Sequence, residues 1–321
     1  MELTELKLED LNPEAFIEEQ VEEIKLVVGN SLAINALSGG VDSSTVTLLG
    51  HRALGDRLKT YFIENGIMRE GEPERIVSLF RAMGILVEIV DAKQQFFDAL
   101  KGLTDPEEKR EAITQTFYKT VFGTLVKESG AHYLLQGTNF TDVEETVAGV
   151  KRQHNILAQL GIDTQAAFGY TVIEPVIQLR KPAVRVIGQA LGLPEELYSR
   201  PPFPGPALAA RVIGEVTPAR VDVVRKATAI VEAELQNTGA FQYLAILHED
   251  KVTGMREGKR DYGMQVEVRC WESTDAQTGT PTRLPYETLE RLADRITTEV
   301  PGVVSVTYNI TQKPPSTIEA V

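Results

Sequence analysis

Residues 34–49 read INALSGGVDSSTVTLL. An apolar run is followed by a turn made of Gly39, Gly40 and the hydroxyls of Ser38, Ser43 and Ser44, and then by a second apolar run. The first run suits a short buried strand, part of 31–37. The second places Val46, Leu48 and Leu49 on a helical stripe over 43–50. A glycine-rich turn between strand and helix offers an anion the unpaired N–H groups of a helix start. Glycine also lets the backbone approach a phosphate closely. Asp42 sits where a carboxylate can order a helix start or face a cation. The Lys of the common GxxxxGK[ST] loop is absent, so a different kind of phosphate chemistry is implied.

Outward from this turn, apolar periodicity predicts a helix over 14–28, and strands over 58–63, 85–92, 132–138 and 170–177. Helices are predicted over 73–84, 106–129 and 181–194, the last with Pro182 in its first turn. Strands alternating with helices predict an α/β domain, a parallel sheet with helices on both faces. Ligands of such sheets bind beyond the carboxyl ends of the strands. Ser38–Ser44, Glu64–Arg69 and Gly137–Thr146 all fall there. Prolines at 201, 202, 204 and 206 then interrupt any helix. The boundary is placed there, giving domains 1–201 and 202–321. The second is a smaller α+β unit, with helices over 218–237 and 285–299 and strands near 242–248, 262–271 and 303–310. In it Leu284, Leu289, Leu292, Ile296 and Val300 suit a helix packed on a sheet.

The chain has 321 residues, 42% apolar and 25% charged, as in water-soluble globular proteins. No apolar run spans a membrane, and the acidic start MELTELKLEDLNPEAF lacks a secretory layout. One cysteine, Cys270, excludes an internal disulfide framework and a cysteine-based zinc site. A cytoplasmic setting is expected. A formal net charge of -13 disfavours a nucleic-acid partner. It leaves room for a small phosphorylated ligand held by a few placed cations.

LSGGVDSS resembles the pyrophosphate-binding (PP) loop of the ATP pyrophosphatases, whose fold is adenine nucleotide alpha hydrolase-like. GEPE (71–74), DPEEKR (105–110), YLLQGT (133–138), EPV (174–176), LGLP (191–194), PFPGPAL (202–208), RVIGEVTP (211–218) and KPPSTIE (313–319) fall in the order found in GMP synthetase. The resemblance covers essentially the whole chain. Only some thirty residues precede the loop, as in the separate synthetase subunit of the archaeal-type, two-subunit enzyme. The resemblance implies ATP and Mg²⁺ as cofactors and XMP as the nucleotide substrate. Adenylation of an XMP carbonyl oxygen turns a poor leaving group into AMP, and ammonia displaces it to give GMP. It also implies a partner glutamine amidotransferase and a homodimer through the C-terminal dimerisation domain.

By the same resemblance, Ser38, Gly39, Gly40, Val41, Asp42, Ser43, Ser44, Ile63, Glu64, Gly137 and Thr138 bind ATP. Asp42, Asp142 and Glu145 are the metal candidates, and Asp142, Lys151 and Lys181 the catalytic ones. Arg211, Arg260, Lys313, Thr317, Ile318 and Glu319 are the nucleotide-substrate contacts. His154 and Asn155 match the family's mobile loop. The chain departs from the family pattern in NFTDVEET (139–146), in HNILAQLG (154–161), where two hinge glycines are replaced, in ALAAR (207–211), in EGKRDY (257–262) and at Ala320-Val321. Alternatives stay open here: a paralogue activating another carbonyl for amidation or sulfur transfer, such as a tRNA thiolase, and a non-catalytic ATP-binding regulatory subunit. The family's thiolases carry catalytic cysteines. Cys270 lies in a predicted strand and reads as a buried structural residue.

Overall fold

The computed structural model describes residues 3–147, 169–199, 203–256, 258–274 and 277–320. Two compact units are interleaved along the chain. The first comprises Met1–Glu64, Pro73–Asp91 and Phe117–Arg200; the second comprises Asn65–Glu72, Ala92–Thr116 and Pro201–Val321.

The first unit opens with helix α1 (Pro13–Val28), followed by strand β1 (Ala33–Ala36) and helix α2 (Val41–Leu54). The Asn12 side chain accepts from the Ala15 N–H and Pro13 takes the first helical position, which together fix the start of α1. Strand β2 (Leu58–Glu64), helix α3 (Glu72–Ala82) and strand β3 (Val87–Asp91) follow. Strands β4 (Tyr133–Leu135) and β5 (Thr171–Ile173) complete a parallel sheet of order β3-β2-β1-β4-β5. Helices flank it, and the predicted parallel α/β sheet is the one observed. Phe16, Ile17, Val21, Ile24 and Val28 of α1 share one core with Val46 and Leu49 of α2 and with Val184 and Ile187 of a later helix, Lys181–Ala190. The strand expected over 170–177 is only three residues long, because the chain turns at Pro175. The helix expected over 106–129 is an α–π–α run: Pro106–Gln115, a π-helical stretch Thr116–Phe122, and Gly123–Ser129.

Strand order runs outward from β1 through β2 to β3, then resumes on β1's other side at β4. Between β1 and β4 the loops leave in opposite directions, which opens a crevice at their carboxyl ends.

The second unit holds the long helix Pro218–Leu235, capped by Thr217 on the Arg220 N–H. Strands β6 (Gln242–Arg256) and β7 (Lys259–Glu272) form one long antiparallel hairpin with an irregularity between Leu247 and Lys251, where the apolar pattern predicts two shorter strands. Strands β8 (Thr280–Pro281) and β9 (Val303–Tyr308) pair with β7, β9 in parallel. Helix Tyr286–Glu299 buries Leu292 and Ile296. The helix Lys93–Leu100, which the apolar pattern does not announce, also belongs here. Among the described residues no helix is long and apolar enough to cross a membrane.

Candidate active site

The glycine turn leaves β1 at the crevice. Gly39 has φ +77°, a conformation L side chains rarely adopt, and Gly40 is the N-cap of α2. The Ser38 and Ser43 hydroxyls lie 2.9 Å apart, and the Ser38 N–H donates to Ser43 Oγ at 3.2 Å. Ser43 Oγ also donates to the Gly40 carbonyl at 3.2 Å. The loop is thus tied across its own mouth. Ser44 is fully buried, and its N–H is spent on the Gly40 carbonyl. A buried polar thread anchors the loop from beneath. Thr60 Oγ1 donates to Asn35 Oδ1 at 2.7 Å, Asn35 Nδ2 to Thr47 Oγ1 at 2.6 Å, and Thr47 Oγ1 to the Ser43 carbonyl at 2.8 Å. Buried polar groups that satisfy one another specify a single arrangement.

The facing wall follows β4. Gly137 lies so close to the loop that a Cβ would meet the Asp42 carbonyl carbon and the Ser43 nitrogen at 2.9 Å each. Thr138 and Asn139 are fully buried. Asn139 caps the helix Phe140–Val147: its Oδ1 accepts from the Thr141 and Asp142 N–H groups, while Asp142 Oδ2 accepts from the Asn139 N–H at 3.1 Å. This is a reciprocal capping box, so Asp142 is structurally engaged at its Oδ2. Asn139 Nδ2 reaches Asp42 Oδ2 at 3.4 Å. The other oxygen of Asp42, Oδ1, is buried and has no hydrogen-bond partner. Burial pushes the Asp42 carboxyl above its ordinary value; the Lys181 charge, the Asn139 hydrogen bond and the Arg185 charge pull it back. Lys181 and Arg185 are one helical turn apart on Lys181–Ala190, so a single helix brings two cations to bear on Asp42.

Glu174, just past β5, is also raised by burial and eased by a hydrogen bond with Thr138. The Tyr118 hydroxyl, on the π-helical stretch, is held protonated far above its usual range by burial, then by Tyr170, Asp142 and Glu174. Ile63 is buried and Glu64 partly exposed at the carboxyl end of β2, in register with Val90 and Asp91. The Glu145 side chain, Lys151, His154 and Asn155 lie outside the described residues. Among the described residues no group of three or more His, Cys, Asp or Glu is placed to hold a metal.

In the second unit, Arg211 is fully buried. Its Nε and Nη2 face the Glu319 carboxylate at 3.4 and 3.5 Å, and its Nη1 has no partner. Glu319 Oε1 also accepts from Gln242 Nε2 at 2.6 Å. Phe203 of the proline motif lies under both Arg211, at 4.9 Å, and Arg69, at 3.8 Å. Ile318 packs with Leu244, Ile246 and Trp271. Arg211, Thr317, Ile318 and Glu319 therefore converge. Lys313 is tied at its backbone to Gly279, in both directions. Arg260 is exposed near the tip of the hairpin, nine residues along β7 from Arg269, about 30 Å of strand. The structure does not bring it to the Arg211 cluster.

Asn139, Glu174, Arg185, Gln242 and Arg269 carry no role that the sequence alone assigns. EPV marks Glu174 as a motif position. Gln242 and Arg269 leave no signal, since a strand residue's inward partner is set by register across the sheet.

A sequence model of the NAD synthase family matches residues 12–205, and one of the GMP synthase C-terminal domain matches residues 228–320. The B subunit of the glutamine-hydrolyzing GMP synthase from Archaeoglobus fulgidus is 47% identical over 309 residues, 96% of this chain and 99% of that protein. Its Pyrococcus furiosus counterpart is 47% identical over 309 residues, covering 95% and 97%. That of Thermococcus kodakarensis is 48% identical over 309 residues, covering 95% and 99%. Likeness of this degree, from one end of the chain to the other and across both units, makes the chain a member of the family of GMP synthase B subunits.

Proposed function

We propose that the chain is the synthetase component of a two-component GMP synthase. The C2 carbonyl oxygen of XMP attacks the α-phosphorus of ATP, pyrophosphate leaves, and an O-adenylyl intermediate forms. Ammonia then adds at C2, loses a proton to solvent or a nearby base, and AMP departs with the former carbonyl oxygen. The reaction is a C–N ligation at the expense of ATP. The observation that carries this reading is the tied loop Ser38–Ser44 with its open helix start, in a chain of this family.

The loop's free N–H groups and the Ser38 and Ser43 hydroxyls hold the departing pyrophosphate. Lys181, whose charge acts on Asp42, adds a cation beside the loop. Ile63, Glu64, Gly137 and Thr138 line the nucleoside part of ATP. Asp42 Oδ1, a buried carboxylate oxygen lacking any other partner, suits magnesium. Asp42, Asp142 and Glu145 would hold the ion, which when bound neutralises the triphosphate. Arg211, Lys313, Thr317, Ile318 and Glu319 form the substrate-nucleotide site, and Arg211 with its unpartnered Nη1 is its anion anchor.

The ammonia source is a separate glutamine amidotransferase subunit, consistent with relatives that are B subunits of glutamine-hydrolyzing enzymes. A homodimer through the second unit is supported by the exposed Met255 and Tyr262 near the hairpin tip. ATP–pyrophosphate exchange tests the reading. Exchange that requires XMP and is not supported by IMP, with GMP formed on adding ammonium, is expected. Exchange without XMP, or none with it, overturns it.

A further inference from the structure

We propose that Arg269 is a positioning residue for the nucleotide-substrate site, clamping the backbone of Thr317, Ile318 and Glu319 from beneath. The proposal rests on the XMP-adenylating reading above.

Arg269 is a buried side chain on β7. Its Nη1 donates to three successive carbonyls: Thr317 at 2.6 Å, Ile318 at 3.2 Å and Glu319 at 3.4 Å. Its Nε donates to Glu267 Oε1 at 2.5 Å. Glu267 is itself fixed, by His248 Nε2 at 3.0 Å and by Asn309 Nδ2 at 3.1 Å. The guanidinium is therefore held on one edge by a carboxylate and presents its other edge to the chain.

Residues 317–319 belong to no helix or strand, so no ladder fixes their backbone. Three carbonyls turned toward one cation fix it instead, helped by the Thr317 hydroxyl, which donates to the Glu319 carbonyl at 2.5 Å. The side chains then have one arrangement. Ile318 enters the apolar cluster, and Glu319 emerges against Arg211 and Gln242. Arg211 is the buried cation with a spare donor, and its geometry depends on where Glu319 stands. Arg269 thus governs the substrate site through its Nη1, which points at backbone. An arginine is needed because its rigid fork serves carboxylate and carbonyls at once, whereas a lysine is a single point donor.

The test uses the full chain with ATP, XMP, magnesium and ammonium, which bypasses the amidotransferase. Arg269→Gln should raise the KM for XMP about tenfold or more and leave the KM for ATP within about twofold. Arg269→Lys should fall between the wild type and Arg269→Gln. Carboxypeptidase should trim the C-terminal residues of Arg269→Gln faster than those of the wild type. If Arg269→Gln does not fold, Glu267→Gln should show the same split at about threefold, since it frees the Nε edge only. An unchanged KM for XMP, or equal rises in both constants, overturns the proposal. A wild-type chain that makes no GMP overturns the functional reading instead. In that case an unchanged carboxypeptidase rate in Arg269→Gln overturns the clamp on its own.

Discussion

Gly137 touches the backbone of Asp42: a Cβ at 137 would stand 2.9 Å from the Asp42 carbonyl carbon. The same Cβ would be 2.9 Å from the Ser43 nitrogen. Backbone atoms cannot swing aside as a long side chain can, so the loop after β4 and the phosphate loop fit only if residue 137 is glycine. Gly137→Ala forces them apart. Overpacking of this kind costs about 1–3 kcal/mol, and a displacement of about 1 Å at a reacting site costs on the order of 100-fold in rate. XMP-dependent ATP–pyrophosphate exchange should drop by about that factor. Exchange at the wild-type rate would sink the idea.

Asp42 costs the resting fold stability. Its folded-state pKa is raised by burial, against the pull of Lys181, Asn139 and Arg185, so the fold favours the protonated form. The stability penalty is absent below the ordinary value of 3.8 and grows as pH rises through the folded value. Without ATP and divalent metal, Asp42→Asn should melt a few degrees higher than the wild type at pH 7, roughly 2 °C. The gap should close in acid. Activity should be lost. A variant that melts lower at pH 7 shows the carboxylate to be stabilising.

Ala207 has φ +52°, a left-handed conformation, at the start of the turn that ends in Arg211. The left-handed region costs a non-glycine residue about 1–2 kcal/mol. Glycine removes that cost and returns about 0.5–1 kcal/mol in chain entropy. Ala207→Gly should therefore be stabilising by up to about 1 kcal/mol, read as a rise in Tm of roughly 2–4 °C. A lower Tm would mean that the buried methyl outweighs the strain.

Glu267 stabilises in the opposite sense from Asp42. Burial alone would raise it; hydrogen bonds from His248 and Arg269, the Arg269 charge and the Asn309 hydrogen bond outweigh burial and bring it to about 2, against an ordinary 4.5. Its contribution is complete above the unfolded value near 4.5 and is lost as pH falls toward about 2. The difference in Tm between wild type and Glu267→Gln should be flat from pH 7 to about 5 and shrink below that. A difference that stays constant down to about pH 3 would show the carboxylate's charge to be irrelevant.

Cys270 is buried and its thiol is pushed up by burial, so it is not a ready thiolate. Cys270→Ser should keep full ammonia-dependent activity at a cost in stability of about 1 kcal/mol. Loss of activity in a folded variant would point to sulfur chemistry.

The sheet and its phosphate turn are legible because glycines and hydroxyls sit between two apolar runs of opposite period. The wall opposite the turn is only partly so. Gly137 and Thr138 carry a family signature, but the reason residue 137 is glycine lies in Asp42 and Ser43, ninety-odd positions away in sequence. The π-helical stretch at 116–122 reads as plain helix, since its apolar spacing is close to helical. Arg211 and Glu319 each match a substrate contact of the family. They are 108 positions apart, so their pairing cannot be read from either residue's neighbours.

Lys109 donates to the Val212 carbonyl at 3.0 Å, and the two are 103 residues apart within one unit. On the ribosome, at about 5–20 residues per second, the amine is made roughly 5–20 s before its acceptor exists. Residues 65–72 and 92–116 must likewise wait for the chain beyond the proline run. The second unit therefore cannot be completed until synthesis has passed almost to the end, and a chain cut at residue 201 would release orphaned apolar and basic surface rather than a tidy amino-terminal domain.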